Sequence, residues 1–471
     1  MMLAAFLVSS MSAQGIEKPR EVVPVFELPG ESGAATRMKG AVEAQIEALS
    51  ARMFEMNDWM YHNPEVGHEE VEAARMLSSE LEENDFLVEF GVPGLDPDFN
   101  REIIDRYDAD GMPTAFVAKH RGKTEYPVIA FVFEVDALRA DPPFHGCQHN
   151  QQGASMVTAA IALSNVLEEN NLPGSVWAIH TPAEEIPPPT KAAMVAAGLF
   201  DDVDFVIRSH GTGTQARRVR GGLGNCCLLI EAASYEFKGR PAHGASPWSG
   251  HDALDAARIF FNAVDAFREH NRPSFRFMGT ITKVGDSPNV INEYVQVDHW
   301  VRNADFAGRA ELDTVAAQVD TIAMGAAMAT FTDVEIRHYG SYYNGTESAW
   351  MQALAWQYIN EYGDEDAISD QLGSPVGWDE AGLGSVNVPG LYIRPAVSGV
   401  PSASGHSHEN AAITISPEGH RGLQQTALIG AVVGLRLLNN EEIRDKIEEE
   451  MGQWQQWGIQ EGLIPERLVR N

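Results

Sequence analysis

The chain has 471 residues, 44% of them hydrophobic, so it can bury more than one core and should divide into two or more domains. With 34 Lys+Arg against 67 Asp+Glu, its net charge is −33, a field that repels phosphate and disfavours nucleic acid or an anionic membrane as partner. Three cysteines, two of them the vicinal Cys226 and Cys227, exclude a disulfide framework.

Residues 1–15 begin as an apolar run and end in small residues, Ser-Ser-Met-Ser-Ala-Gln-Gly. The pattern is that of a secretory signal, although the positive n-region is missing. Export to a periplasm or medium is therefore expected, and a cytoplasmic location if the segment is no signal. Residues 16–36 read as a Pro-, Glu- and Gly-rich lead-in. No later stretch approaches the ~18–20 apolar residues of a membrane span.

Apolar spacing predicts a helix over 38–59, broken by His62-Asn63-Pro64-Glu65, and a second over 69–84. Strands are predicted at 115–119 and 128–133, a helix at 152–168, a strand at 175–179, a short helix at 191–197 and a strand at 205–208. Alternating strands and helices imply a mixed, mostly parallel α/β sheet with helices on both faces. A catalytic domain of this kind is expected over 37–225 and 343–471.

Beyond Gly221-Gly222-Leu223-Gly224 the pattern changes. A strand at 226–237, a helix at 251–268, strands at 274–284 and 294–301, a helix at 310–328 and a strand at 332–339 follow in turn. This β-α-β-β-α-β order is the ferredoxin-like split unit, so 226–342 reads as an inserted α+β domain. Helices resume at 348–362 and, from Ser416-Pro417-Glu418, to Leu438, with Ser as N-cap and Pro at N1. The tail past Asn439 is acidic, a solvated helix face, and then carries Trp454 and Trp457.

The residues that carry chemistry fall at or just after the strand ends of the first sheet, where open α/β sheets place their sites. Cys147 and His149, in His145-Gly146-Cys147-Gln148-His149-Asn150, are two metal-ligand types one residue apart. A buried thiol beside a chance His would give the same pair. Glu184-Glu185 follows the strand at 175–179. Adjacent carboxylates repel, so one is best placed on a cation while the other stays free to move protons. His210 ends the next strand, and His406 or His408 lies in a Gly/Ser loop. Each piece alone is weak; together, on successive strand ends, they point to a two-metal hydrolase. In the inserted unit, His243, Asn289 and Arg302 are loop or strand-end residues, Arg302 being suited to a carboxylate. Trp248, Trp300 and Trp378 could line an aromatic pocket or simply pack.

These motifs together resemble the M20 metallopeptidases of the amidohydrolase subfamily, leaning toward the branch of the p-aminobenzoyl-glutamate hydrolase B subunit. The resemblance runs from about 40 to 438. It rests on His62-Asn63-Pro64-Glu65, Glu134-Val135-Asp136-Ala137-Leu138, Gly146-Cys147-Gln148-His149-Asn150 and Thr181-Pro182-Ala183-Glu184-Glu185. It continues through the His243 segment, Pro288-Asn289-Val290-Ile291, Asp379-Glu380-Ala381-Gly382 and Gly405-His406-Ser407.

The resemblance implies that Cys147, His149, Glu185, His210 and His406 hold two divalent ions, such as zinc, manganese, nickel or cobalt. Glu184 would be the catalytic base and Asp136 would orient a ligand His. His243 would stabilise the oxyanion, commonly from a partner subunit, and Asn289 and Arg302 would grip the substrate. It also implies a homodimer through the inserted domain. The activity implied is hydrolysis of N-acyl or N-aroyl amino acids or related small amides. A dipeptidase or carboxypeptidase is the alternative, and a non-catalytic metal or peptide binder a third reading. Gln148 replaces the usual Gly between the ligands, and Arg139 the usual Pro after Leu138. Neither removes a ligand or the base.

Overall fold

The computed structural model describes residues 16–20, 27–107, 111–188, 190–226, 228–285, 287–305, 308–342, 345–373 and 387–464. The expected signal segment, Cys227, Trp378 and Asp379-Glu380 lie outside them.

The first helix, α1 (Gly33–His62), is capped by Ser32, whose hydroxyl accepts from the Ala35 N–H at 3.1 Å. It thus begins inside the stretch expected to be a lead-in. It stops at Asn63, because a residue before proline is pushed out of the helical region. Then come α2 (Val71–Glu82), β1 (Leu87–Phe90) and α3 (Pro97–Tyr107). Neither β1 nor α3 was anticipated. They are followed by β2 (Phe116–Arg121), β3 (Val128–Phe133), α4 (His149–Glu169), β4 (Ser175–His180), α5 (Thr190–Ala196) and β5 (Phe205–Ser209). Next are β6 (Ala216–Arg218), β7 (Gly222–Cys226) and β8 (Leu229–Lys238).

The single strand expected at 226–237 is therefore two. Here β7 ends in the large sheet and β8 opens the small one. Apolar patterning runs unbroken across the junction, so periodicity could not reveal that the chain changes sheets.

The inserted unit continues with α6 (Ala253–Arg268), β9 (Phe275–Lys283), β10 (Tyr294–Asn303), α7 (Arg309–Thr330) and β11 (Asp333–Tyr342). Its four strands pair antiparallel in the order β11-β8-β10-β9. A core of its own, with Phe237, Phe260, Val297 and Val319 fully buried, seals the sheet against the two helices. The chain then returns through β12 (Gly345–Glu347), α8 (Ala349–Tyr362), β13 (Ile368–Leu372), β14 (Gly390–Ile393), α9 (His408–Ile413), α10 (Pro417–Asn439) and α11 (Glu441–Gln460). The acidic tail is thus the helix α11, and Trp454 and Trp457 form a buried pair on it.

The large sheet has the order β1-β2-β4-β3-β5-β14-β12-β7, with parallel pairs in the middle and antiparallel pairs at both edges. Its central strand β3 is apolar and buried at every position, as a strand covered on both faces must be. The main core joins α1, α4, α8 and α10 to this sheet. The result is a mixed α/β fold with a separate antiparallel sheet inserted into it. Among the described residues, no helix is long and apolar enough to cross a membrane.

Candidate metal centre

Four segments converge at the carboxyl ends of the central strands. Cys147 and His149 lie at the start of α4, which carries the chain away from β3. Glu184 and Glu185 follow β4, His210 follows β5, and His406 lies just ahead of α9. Cys147 groups with His149 and His210, and again with Glu185 and His406; His149 groups with Glu184 and Glu185. Within each group the ligand atoms lie within 4.8 Å of one another. Cys147 Sγ is 3.5 Å from His210 Nε2, and His149 Nε2 is 3.8 Å from Glu184 Oε2 and 3.9 Å from Glu185 Oε1. All five expected ligands and the expected base therefore meet in one place. His145 and His408 join none of these groups: His145 is buried beside them, and His408 packs on Phe144 at 3.9 Å between ring centres.

Asp136 binds both halves of the cluster. Its Oδ1 lies 2.9 Å from His149 Nδ1, and its Oδ2 accepts the Glu185 backbone N–H at 2.9 Å. That bond fixes the tautomer of His149 and leaves Nε2 aimed at the carboxylates. Glu70, which the sequence did not single out, braces the other side. Its carboxyl is fully buried at the start of α2 and accepts from the Ala183 N–H at 2.7 Å and the Thr114 hydroxyl at 3.1 Å. Ala183 has φ +58°, a left-handed conformation that an L side chain holds only under external support. Glu70 thus steadies the residue directly before the catalytic candidate.

The electrostatics are those of an anionic pocket kept from water. Burial first, and the charge of Glu185 second, push Glu184 well above the usual carboxylate range. Burial likewise raises the Cys147 thiol, with Glu185 adding to it. His210 is pushed well below its ordinary value by burial and then by His149. His406 is raised by its neighbour Glu185. Glu185 Oε1 is buried with His406 Nε2 at 3.3 Å, yet outside hydrogen-bond geometry, so it has no hydrogen bond. A thiol, three imidazoles and an orphaned carboxylate oxygen fit divalent ions of borderline softness, because a cation supplies the charge this pocket lacks.

The residues expected to contact substrate divide in two. Arg302 lies near the end of β10, and its positive charge weakly opposes that of His406. His243 and Asn289 sit together on the inserted unit, where the Gly244 N–H donates to the Asn289 carbonyl at 2.7 Å and His243 bridges to Val290. Both are exposed, and neither joins a described ligand group. Trp248 is likewise exposed, while Trp300 donates its indole N–H to the Tyr339 hydroxyl at 2.6 Å.

Residues 133–427 match the family model Peptidase family M20/M25/M40. The p-aminobenzoyl-glutamate hydrolase B subunit of Escherichia coli (strain K12) is 30% identical over 349 residues, covering 70% of this chain and 66% of that protein, just under two thirds of its length. The Xaa-Arg dipeptidase of Mus musculus is 27% identical over 395 residues, covering 78% of this chain and 83% of that protein. Among solved structures, an aminobenzoyl-glutamate utilization protein from Klebsiella pneumoniae superposes with TM-score 0.57 at 19% identity, over 83% of this chain and 98% of that one. A dinuclear metal binding peptidase of the M20 family from Bacillus subtilis superposes with TM-score 0.55 at 21% identity, over 83% and 99%. These two likenesses show a shared fold.

Proposed function

The chain belongs to peptidase family M20/M25/M40 and is a hydrolase of amide or peptide bonds, and from that premise we propose that it is a dinuclear metal-dependent amidohydrolase acting on N-acyl or N-aroyl amino acids. One observation carries this reading. Cys147 stands in two ligand groups, one with His149 and His210 and one with Glu185 and His406, whereas Glu184 stands only in the group with His149 and Glu185. A thiolate shared by two positions suits a metal pair, and the one carboxylate grouped apart from that thiolate suits proton transfer. Two divalent ions there, zinc, manganese, nickel or cobalt, would polarise the scissile carbonyl and acidify a water.

The rest is the work of the chain. Glu184 takes the proton of the attacking water and returns it to the leaving nitrogen. Asp136 keeps the His149 ring in the tautomer that leaves Nε2 free. Arg302 holds the carboxylate of the amino-acid half, for which its planar fork is suited. The partner subunit's His243 and the partner subunit's Asn289 complete the site by stabilising the oxyanion and the reacting carbonyl. Three features support such a homodimer. In the small sheet β9 is an edge strand, Trp248 is 80% exposed and Phe331 79% exposed. His243 and Asn289 share this inserted unit.

The name of the mouse relative, Xaa-Arg dipeptidase, favours a second reading, a dipeptidase that must also accept a free α-amine. Stripping the protein with a chelator and adding back Mn²⁺, Zn²⁺ or Co²⁺ tests both. The proposal predicts metal-dependent hydrolysis of N-acyl and N-aroyl amino acids ahead of free dipeptides. The reverse preference selects the dipeptidase. No hydrolysis of any amide with metal bound overturns both.

A further inference from the structure

Gln148 lies between the two ligands Cys147 and His149, and its conformation is unusual. It is the N-cap residue of α4 with φ +67° and ψ +25°, a left-handed geometry that favours glycine, yet its side chain makes no capping bond to the helix. The side chain is instead 97% buried and spent on other segments. Its amide Nε2 donates to the Asn410 carbonyl at 2.8 Å and lies 3.3 Å from Asn410 Oδ1. Asn410 sits on α9, just past His406, and its own amide donates back to the Gly146 carbonyl at 2.8 Å. The His406 backbone N–H donates to that same carbonyl at 3.1 Å.

On the other side Gln148 fills the space against Gly211, the residue after His210. A Cβ built on Gly211 would fall 2.4 Å from Gln148 Cβ and 1.9 Å from Oε1. Three ligand-bearing segments therefore touch one side chain: its own, the His210 segment and the His406 segment.

We propose that Gln148 is a positioning residue that fastens the His210 and His406 segments onto the Cys147–His149 pair and so preorganises the centre for its ions. The inference rests on the metal-centre reading above. His406 is the half-exposed member of the cluster, and its segment is otherwise held by the bonds to the Gly146 carbonyl and by His408 against Phe144. His406 itself has φ +61°, so the loop carries strain that a tie can sustain. Glycine at position 148 would relieve the left-handed backbone but remove both the amide bonds and the contact with Gly211. Stability of the empty chain and affinity for metal are thereby expected to move in opposite directions.

The test compares the parent with Gln148→Gly and Gln148→Ala. Thermal unfolding is followed in chelator, and Zn²⁺ affinity is measured by competition against a chromophoric chelator. The expected result for Gln148→Gly is an unfolding temperature at or above the parent's, with Zn²⁺ bound about tenfold or more weakly, the range for loss of a residue supporting the ligands. Gln148→Ala keeps the strain without the tie, so both quantities should fall. A Gln148→Gly variant that binds Zn²⁺ as tightly as a Zn²⁺-binding parent overturns the positioning role alone. A parent that binds no Zn²⁺, Mn²⁺ or Co²⁺ overturns the metal-centre reading, and the inference with it.

Discussion

Asp136 Oδ1 lies 2.9 Å from His149 Nδ1, and the other oxygen of the same carboxylate accepts the Glu185 backbone N–H at 2.9 Å. One buried side chain therefore sets the angle of an imidazole and the position of the carboxylate segment it faces. Burial opposes its ionisation most, but the His149 hydrogen bond and charge, the Glu185 N–H and the Lys191 charge together outweigh it and hold Asp136 below the usual carboxylate range.

Asparagine at this position offers one side-chain acceptor for two donors, so in Asp136→Asn either the Glu185 N–H loses its bond or His149 keeps only the backbone carbonyl of residue 136, 3.1 Å away. Divalent-ion affinity should fall roughly 10–100-fold while the fold persists. Chelator competition on the variant measures this. Unchanged affinity would show that His149 needs no such support.

The residues that converge at the strand ends were largely legible before the fold, for a physical reason. Thiol, imidazole and paired carboxylates at successive strand ends have few other uses, and strand ends are readable from apolar runs such as Val128–Phe133. What stayed hidden is long-range. Glu70 is one of many acids in an acidic chain, and only the fold brings its carboxyl to the Ala183 N–H. The amides Asn150 and Gln151 are buried in α4 because they bond Asn57, Thr414, Gly419 and Thr212 across segments far apart in sequence. Helix α3 was missed because it is short and polar, with Ile103 as its buried residue. The break between β7 and β8 falls inside an apolar run that reads as continuous.

The placement of His243 away from the cluster within one chain yields a prediction about subunits. If each site uses its own Glu184 and the partner subunit's His243, Glu184→Gln and His243→Ala are each inactive alone. Mixing equal amounts and allowing exchange should restore about a quarter of parental activity, because half the dimers are mixed and each mixed dimer has one intact site. Activity that stays near zero after verified exchange would contradict a shared site, as would a monomer in light scattering.

Buried histidines give the chain an acid-sensitive side. Burial pushes His68 and His180 down to about 4 and His145 down to about 3, from an ordinary 6.5. Each ring stays neutral in the folded chain while the unfolded chain takes up a proton, so its contribution is complete above about pH 6.5 and is lost as pH falls toward 4. The loss is on the order of 1 kcal/mol per ring per pH unit in that window. His180 stacks on Phe133 with ring centres 5.6 Å apart. His180→Phe should therefore flatten the dependence of the unfolding midpoint on pH between 6.5 and 4, measured by denaturant titration of the metal-free chain. An unaltered slope would mean His180 does not titrate this way.

The division of labour between the adjacent carboxylates is the centre of the account, and Glu184→Gln measures it most directly. The variant keeps Cys147, His149, Glu185, His210 and His406 and removes only the group assigned to carry the proton. Metal content by elemental analysis should equal the parent's, while turnover of an N-acyl amino acid that the parent cleaves should drop by about 10²–10⁴. A fully metallated variant that hydrolyses the substrate at the parental rate would contradict the assignment of Glu184 as the base.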